Sequence, residues 1–239
     1  MLTHNAIKSI RALRTAKGRS QAKQFIGEGL RACSTLIEST CQLNRLYVTQ
    51  EQHDLAIKIA HAKYVTLVSH ADMDKIAVST TPSGMLGVFS IPSHALPEKI
   101  KPGLVLCNIS DPGNMGTLIR SSIAFGHPEI IIIDGVDVWS PKVVQASAGT
   151  IGHARVYDIS WKQLASHSQR PPLAALVPRG GAPISAKHRD TLLVVGSEAH
   201  GLPEIWLEQC DLQLTLPMPG KAESLNAAIA GSIALYLIS

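Results

Sequence analysis

Three short stretches of the chain combine glycine with polar or charged side chains that could bind a ligand. They read Asn114-x-Gly116-x-x-x-Arg120, Gly196-x-Glu198-x-x-Gly201-Leu-Pro203 and Leu216-x-Met218-x-Gly220-x-x-x-Ser224-Leu225-Asn226. Arginine and asparagine side chains can hold a phosphate or stabilise a developing oxyanion, and glycine lets the backbone approach a ligand closely. The pattern therefore predicts a binding site that is built from three loops.

Two other readings of the sequence fail on spacing. A phosphate-binding loop at Gly220-Lys221 would need a glycine in place of Thr215 and a serine or threonine in place of Ala222. No Gly-x-Gly-x-x-Gly follows an apolar run, which argues against a nicotinamide-dependent enzyme. The histidines form no metal-spaced pair with a neighbouring acid, so we expect no metal site.

The composition is that of a globular protein with an aliphatic core, since 45% of its 239 residues are hydrophobic and only 4% are aromatic. Four scattered cysteines without a Cys-x-x-Cys pair indicate reduced thiols, and the amino terminus lacks the apolar core of a signal peptide. We therefore expect a cytoplasmic protein. The apolar run 225–238 is shorter than the roughly 20 residues of a membrane span, so we expect no membrane association.

Apolar runs alternate with helical patterns over the carboxyl-terminal part of the chain. The predicted strands are 104–109, 129–134, 153–158, 173–177, 192–195 and 211–216, and a helix over 117–125 is expected to follow a loop at 110–116. This alternation predicts an α/β fold with a parallel sheet covered by helices on both faces. Ligands of such sheets bind beyond the carboxyl ends of the strands, where the three stretches lie.

Shorter strands and helices alternate over residues 1–95, which predicts a small α/β domain that acts as a binding module. The proline-rich stretch 91–103 breaks this periodicity and is the expected linker. The second predicted domain then covers residues 103–239.

Positive charge is concentrated near the amino terminus. Lys8, Arg11 and Arg14 recur at three-residue spacing on a predicted helix, and Lys17 and Arg19 follow in a stretch predicted to be a turn between helices. Such a face could contact RNA phosphates. A solvated basic face without a partner explains the same pattern equally well.

The last apolar run consists almost wholly of small and aliphatic residues, so we expect a helix that other parts of the protein cover on most sides. Ser224 and Asn226 stand at its beginning. They could cap the helix, or they could line a binding site at its amino-terminal end.

Taken together, the three stretches resemble motifs one, two and three of the SpoU/TrmH family of RNA ribose 2′-O-methyltransferases, in the order of that family. The amino-terminal part resembles the small ribosomal-protein-like domain with which many members bind their substrate. The resemblance implies a deep trefoil knot at the carboxyl terminus, S-adenosylmethionine as cofactor, no metal, and a homodimer whose active sites are completed at the interface. Ribosomal RNA is the expected substrate, and the alternatives are a transfer RNA 2′-O-methyltransferase or a non-catalytic RNA-binding protein of the same fold.

The resemblance also assigns roles to single residues. It points to Arg120 as the residue that positions the ribose 2′-hydroxyl and relieves it of its proton. Because a guanidinium keeps its proton and is a poor base, the alternative role is to bind the adjacent phosphate or to stabilise the developing alkoxide. Asn114 would orient Arg120 or the ribose, with a turn former as its structural alternative. Glu198 would hold Asn114, Arg120 or loop amides in place, with a cap of the short helix as its structural alternative. Ser224 and Asn226 would face the reaction. The cofactor would contact Gly196, Gly201, Leu216 and Leu225, with Leu176, Val177 and Met218 as walls.

Overall fold

Close packing divides the chain into two units. The computed structural model describes residues 1–197, 199–221 and 224–239. One unit comprises Met1–Ser93 together with Asp137–His153, and the other comprises His94–Val136 together with Ala154–Ser239. The first unit therefore takes in a segment that lies, along the sequence, within the second predicted domain.

Short helices alternate with the strands of a small sheet in residues 1–93. Thr3, Thr15 and Ser69 each cap a helix by accepting a hydrogen bond from a backbone N–H of its first turn. The helices are α1 (His4–Ala12), α2 (Ala16–Ala22), α3 (Leu30–Glu38), α4 (His53–Ile59) and α5 (His70–Ile76). The strands are β1 (Gln24–Glu28), β2 (Leu43–Val48), β3 (Val65–Leu67) and β4 (Met85–Ser90).

The small sheet is mixed, with the strand order β1-β4-β2-β3. Strand β4 pairs antiparallel with β1 and β2, whereas β2 pairs parallel with β3. Phe25, Leu36 and Phe89 are fully buried in its core. Strand β1 was not predicted from the sequence, because glycines at 27 and 29 interrupt its apolar run; at Gly27 a side chain would collide with Leu36.

The remaining elements follow the predicted alternation. The strands are β5 (Gly103–Ile109), β6 (Glu129–Gly135), β7 (Arg155–Asp158), β8 (Leu173–Leu176), β9 (Ala182–Pro183), β10 (Leu192–Val195) and β11 (Leu212–Thr215). The helices are α6 (Pro112–Ala124), α7 (Pro141–Ala146), α8 (Trp161–Ala165), α9 (Glu204–Leu207) and α10 (Ala227–Ile238). Helix α7 belongs to the first unit and all the others belong to the second.

The second unit is built on one sheet of seven strands in the order β7-β6-β5-β10-β8-β11-β9. Every neighbouring pair is parallel, which confirms the predicted α/β fold class. Leu104, Ile131 and Leu193 are fully buried, as expected for central strands covered on both faces. Helix α6 packs on β5, and α10 packs on α6 and β10. The sheet order makes β10, β8 and β11 neighbours.

Helix α6 begins five residues before its predicted start. The sequence Asp111-Pro112-Gly113 reads as a turn, but the Asp111 carboxylate accepts a hydrogen bond from the Asn114 N–H at 2.7 Å and caps the helix. Proline is well suited to the first helical position because that position needs no donor. Asn114 and Gly116 therefore lie in the first turns of a helix and not in a loop.

The predicted turn at residues 16–21 is wrong, since these residues form helix α2. This changes the environment of Arg19, which is only 4% exposed. Its guanidinium donates to the Asp137 carboxylate, with Nε at 2.9 Å from Oδ2, and to the Leu13 carbonyl at 2.9 Å. Arg19 is therefore an internal ion-pair partner and not a member of an exposed basic face.

Residues 137–153 pack against the first unit's own helices and strands. The Trp139 ring lies 4.8 Å from the Phe25 ring, measured between centroids, and α7 contacts β1. At Gly149, which has a φ of +81°, a Cβ atom would lie 2.5 Å from the Ala32 carbonyl oxygen. Close backbone approach thus requires glycine there.

One face of α10 is exposed in the single chain, whereas the expected cover on most sides of this helix includes a dimer partner. Ala228, Gly231 and Leu235 face inward, whereas Ile229, Ile233 and Tyr236 are 53%, 40% and 63% exposed. Even so, among the described residues no helix has both the length and the apolar character that crossing a bilayer would require.

Asp137→Asn should destabilise the first unit by about 2 kcal/mol, because the buried Arg19 guanidinium would then face an uncharged amide. The variant keeps the Oδ1 atom that accepts the Trp139 N–H. The measurement is the midpoint of urea-induced unfolding.

Asp134→Asn is the matched control, because Asp134 is exposed and takes part in no ion pair among the described residues. Equal midpoints for Asp137→Asn and the unsubstituted protein would show that the ion pair contributes nothing to stability.

Candidate functional site

The carboxyl ends of β8, β10 and β11 open onto one cavity of about 550 Å³. These strands are neighbours in a parallel sheet, so the residues that follow them meet at the same edge. The structure brings together all the residues that were predicted to contact the cofactor, namely Leu176, Val177, Gly196, Gly201, Leu216, Met218 and Leu225. Ser224, predicted to face the reaction, also lines this cavity.

Backbone atoms form the part of the cavity wall that follows β10. Ser197 and Gly201 exchange two backbone hydrogen bonds, at 3.1 Å and 2.9 Å. A Cβ atom at Gly196 would lie 2.6 Å from the Gly201 carbonyl oxygen, so the tight turn excludes any larger residue at 196. Backbone polar groups are thereby held next to the cavity, where they can bind a heterocyclic base.

Apolar side chains also line the cavity, among them Leu176, Leu216 and Met218. The Val177 N–H donates to the Leu214 carbonyl at 2.8 Å, which keeps the end of β8 attached to β11. A wall of this kind suits the flat, largely apolar ring system of a nucleoside.

Asn226 joins the beginnings of α6 and α10. Its Oδ1 atom caps α10 by accepting hydrogen bonds from the Ala228 and Ile229 N–H groups, at 2.9 Å and 3.2 Å. Its Nδ2 atom donates to Asn114 Oδ1 at 3.1 Å. The predicted capping role of Asn226 is thus observed. The same side chain also contacts Asn114 of the first motif.

Arg120 lies apart from this pair of asparagines. Six residues along a helix correspond to about 9 Å of rise and a rotation of about 240°, so Arg120 projects from a different side of α6 than Asn114. Its side chain is exposed, and it takes part in no hydrogen bond or ion pair among the described residues. Glu198, predicted to orient Asn114 or Arg120, lies outside the described residues.

Further residues that lie outside every motif also line the cavity, among them Arg179, Leu207 and Gln213. His200 and Leu202, which lie within the second motif but had no assigned role, line it as well. Arg179 lies two residues after the predicted strand 173–177. Its position beyond a strand end was the one feature of the sequence that could have indicated a place at the ligand site. Gln213 projects from within β11, where only the three-dimensional arrangement shows which side chains face a ligand.

Burial makes two of the cysteine thiols weak acids, and neither of these cysteines lines the cavity. Burial, together with the nearby Asp211 carboxylate, raises the pKa of Cys210 to about 11, and burial raises the pKa of Cys33 to about 12. Both thiols are therefore protonated near neutral pH. Within residues 1–197, 199–221 and 224–239, no three His, Cys, Asp or Glu side chains gather as metal ligands.

Known proteins share both parts of this chain. Residues 102–236 match the SpoU rRNA Methylase family, and residues 4–87 match the MRM3-like substrate binding domain. The uncharacterized tRNA/rRNA methyltransferase slr1673 of Synechocystis sp. is 30% identical over 96% of this chain and 89% of its own length. The 23S rRNA (guanosine(2553)-2′-O)-methyltransferase RlmP of Bacillus subtilis is 26% identical over 96% of this chain and 94% of its own length.

The fold is shared over the same extent. A solved structure of a TrmH-family protein from Porphyromonas gingivalis superposes with a TM-score of 0.86 and 29% identity, covering 100% of this chain and 98% of that one. The match therefore spans the residues of both units. The chain belongs to the SpoU rRNA methylase family of S-adenosylmethionine-dependent RNA 2′-O-methyltransferases.

Proposed function

We propose that the protein methylates a ribose 2′-hydroxyl in ribosomal RNA, with the cofactor bound in the cavity beyond β8, β10 and β11. The observation that carries the proposal is this cavity, bounded by residues of two motifs and reaching the beginning of α10, where Asn226 contacts the first motif. The Bacillus subtilis relative acts on 23S rRNA, and the amino-terminal match is to a substrate-binding domain. Both support ribosomal RNA over transfer RNA.

The residues that are present fit S-adenosylmethionine. The cavity volume of about 550 Å³ lies within the range of roughly 300–1,000 Å³ that is usual for small-molecule sites. Leu176, Leu216 and Met218 offer apolar walls to the adenosine, and the backbone at 196–201 offers hydrogen-bonding groups. When bound, S-adenosylmethionine supplies a methyl group on a positively charged sulfur.

The protein must act mainly on the methyl acceptor, which is the ribose 2′-hydroxyl. A ribose 2′-hydroxyl is a poor nucleophile, so it must be positioned and relieved of its proton. A guanidinium is a poor base, so Arg120 is assigned to the adjacent phosphate or to the oxyanion that develops on the ribose. Ser224 and the Asn114–Asn226 pair are assigned to positioning the ribose, and Glu198 to orienting the motif loops.

The amino-terminal unit supplies a basic face, which we assign to RNA phosphates. Lys8, Arg11 and Lys17 are exposed and take part in no ion pair among the described residues. Arg14 is partly buried and donates to the Lys75 carbonyl at 3.0 Å, so it is less available than its spacing predicted. With Arg19 buried, the face consists of Lys8, Arg11 and Lys17.

The uncovered side of α10 is assigned to a second copy of the chain. Ile229, Ile233 and Tyr236 form an exposed apolar face on a helix of the site's own unit. Within the chain, Ser121 and Ser232 share a hydrogen bond of 2.7 Å, and the ring of the largely exposed Tyr236 lies 5.6 Å from the Phe125 ring, which fixes α6 against α10. A dimer across this face would cover the apolar side chains and place both copies of α6 at the interface.

Arg120→Ala should lower the rate of methyl transfer by about 100-fold or more, because it removes the charge that stabilises the acceptor. The Kd of S-adenosylmethionine, measured by calorimetry, should change by less than about twofold. Arg189→Ala, at an exposed arginine that does not line the cavity, serves as the control. A large loss of cofactor affinity in Arg120→Ala would contradict the assignment.

Replacing Lys8 and Arg11 together by glutamine should reduce the dependence of RNA affinity on salt concentration. For single-stranded contacts the slope of log K against log salt should fall by about 1.4. The double variant Lys58→Gln/Lys63→Gln makes the same change of charge elsewhere in the unit and should leave the slope unaltered. Equal slopes in the two double variants would contradict the proposed face.

Ile233→Glu should convert a dimer into single chains of 25.6 kDa, measured by light scattering, because it places a charge in the apolar face. Ile205→Glu is the matched control, since Ile205 is 63% exposed on α9 and lies outside this face. A monomeric unsubstituted protein would refute the assigned dimer.

A further inference from the structure

Arg179 stands out among the described residues that line the cavity, because it is their one permanently charged side chain. The neighbouring lining residues are apolar, small or neutral, with His200 as the other ionisable group and no acid among those described. The cavity thus offers a positive charge at one place on its wall.

The backbone on both sides of Arg179 is fixed to β11. The Pro178 carbonyl accepts a hydrogen bond from Thr215 Oγ1 at 3.1 Å. Gly181 lies so close to β11 that a Cβ atom there would be 2.8 Å from the Leu214 carbonyl carbon. Residue 179 is therefore held at the cavity by contacts that do not involve its own side chain.

The guanidinium of Arg179, by contrast, is uncommitted. The side chain is exposed and takes part in no hydrogen bond or ion pair among residues 1–197, 199–221 and 224–239. Binding an anion would therefore break no existing interaction, and a guanidinium binds a carboxylate through two parallel hydrogen bonds.

S-adenosylmethionine carries one carboxylate, on its methionine part, and no other anionic group. The adenosine suits the apolar wall, and the sulfonium and ammonium groups gain nothing from a nearby cation. We propose that Arg179 binds the carboxylate of the cofactor and so selects ligands with an intact amino-acid part. This rests on the assignment of the cavity to S-adenosylmethionine.

The test compares two ligands that differ in this carboxylate alone. In Arg179→Gln the affinity for S-adenosylmethionine, measured by calorimetry, should fall by about tenfold, as expected when a charge-assisted hydrogen bond is lost. The affinity for decarboxylated S-adenosylmethionine should not change. Arg179→Lys should recover part of the loss, and high salt should reduce the loss because the group is exposed.

Arg189→Gln removes the same charge from the same unit outside the cavity and should bind both ligands normally. Equal losses for the two ligands in Arg179→Gln would overturn the proposal, as would no loss for either. A loss of RNA affinity without a change in cofactor affinity would also overturn it, by assigning Arg179 to an RNA phosphate. If the unsubstituted protein bound neither ligand, the assignment of the cavity itself would fail together with the proposal.

Discussion

The hydrogen bond from Asn226 to Asn114 is the interaction on which the site depends, because it joins two helix beginnings that lie far apart in the sequence. The same Asn226 side chain caps α10, so capping and contact with α6 are achieved by opposite ends of one amide. Ser224 and Leu225 directly precede this residue and line the cavity. The position of the third motif relative to the first is thereby tied to the stability of α10.

The parallel sheet explains why the cofactor residues converge. Strands β10, β8 and β11 are neighbours, and a parallel arrangement sends the residues after each strand to the same edge. The protein then needs only short turns to form a cavity wall. Gly196 permits the tightest of these turns, since no side chain would fit against the Gly201 backbone.

The strands of the parallel sheet and the location of the cavity could be predicted from the sequence. Apolar runs indicate buried strands, and the carboxyl ends of these runs indicate where a ligand binds. What could not be predicted depends on partners that are distant along the chain. The burial of Arg19 follows from Asp137, 118 residues away, and no spacing rule indicates that pair. The early start of α6 was missed because Asp111-Pro112 is equally typical of a turn and of a helix cap.

For the last helix, α10, the composition predicted burial but could not predict which side of the helix is buried. Its composition correctly indicated burial, but within a single chain the buried side of the helix is the one that carries Ala228, Gly231 and Leu235. The composition of a helix predicts that its apolar side chains are buried, but it does not predict which molecule buries them. We propose that a second copy of the chain covers the exposed residues Ile229, Ile233 and Tyr236.

The central claim is that this protein places a 2′-O-methyl group in ribosomal RNA. The most direct measurement maps ribose methylation across the ribosomal RNA of cells that make the protein and of otherwise identical cells that lack it. If the protein methylates ribosomal RNA, a 2′-O-methylated ribose present in the first RNA is unmodified in the second. Identical methylation of the two ribosomal RNAs would contradict it.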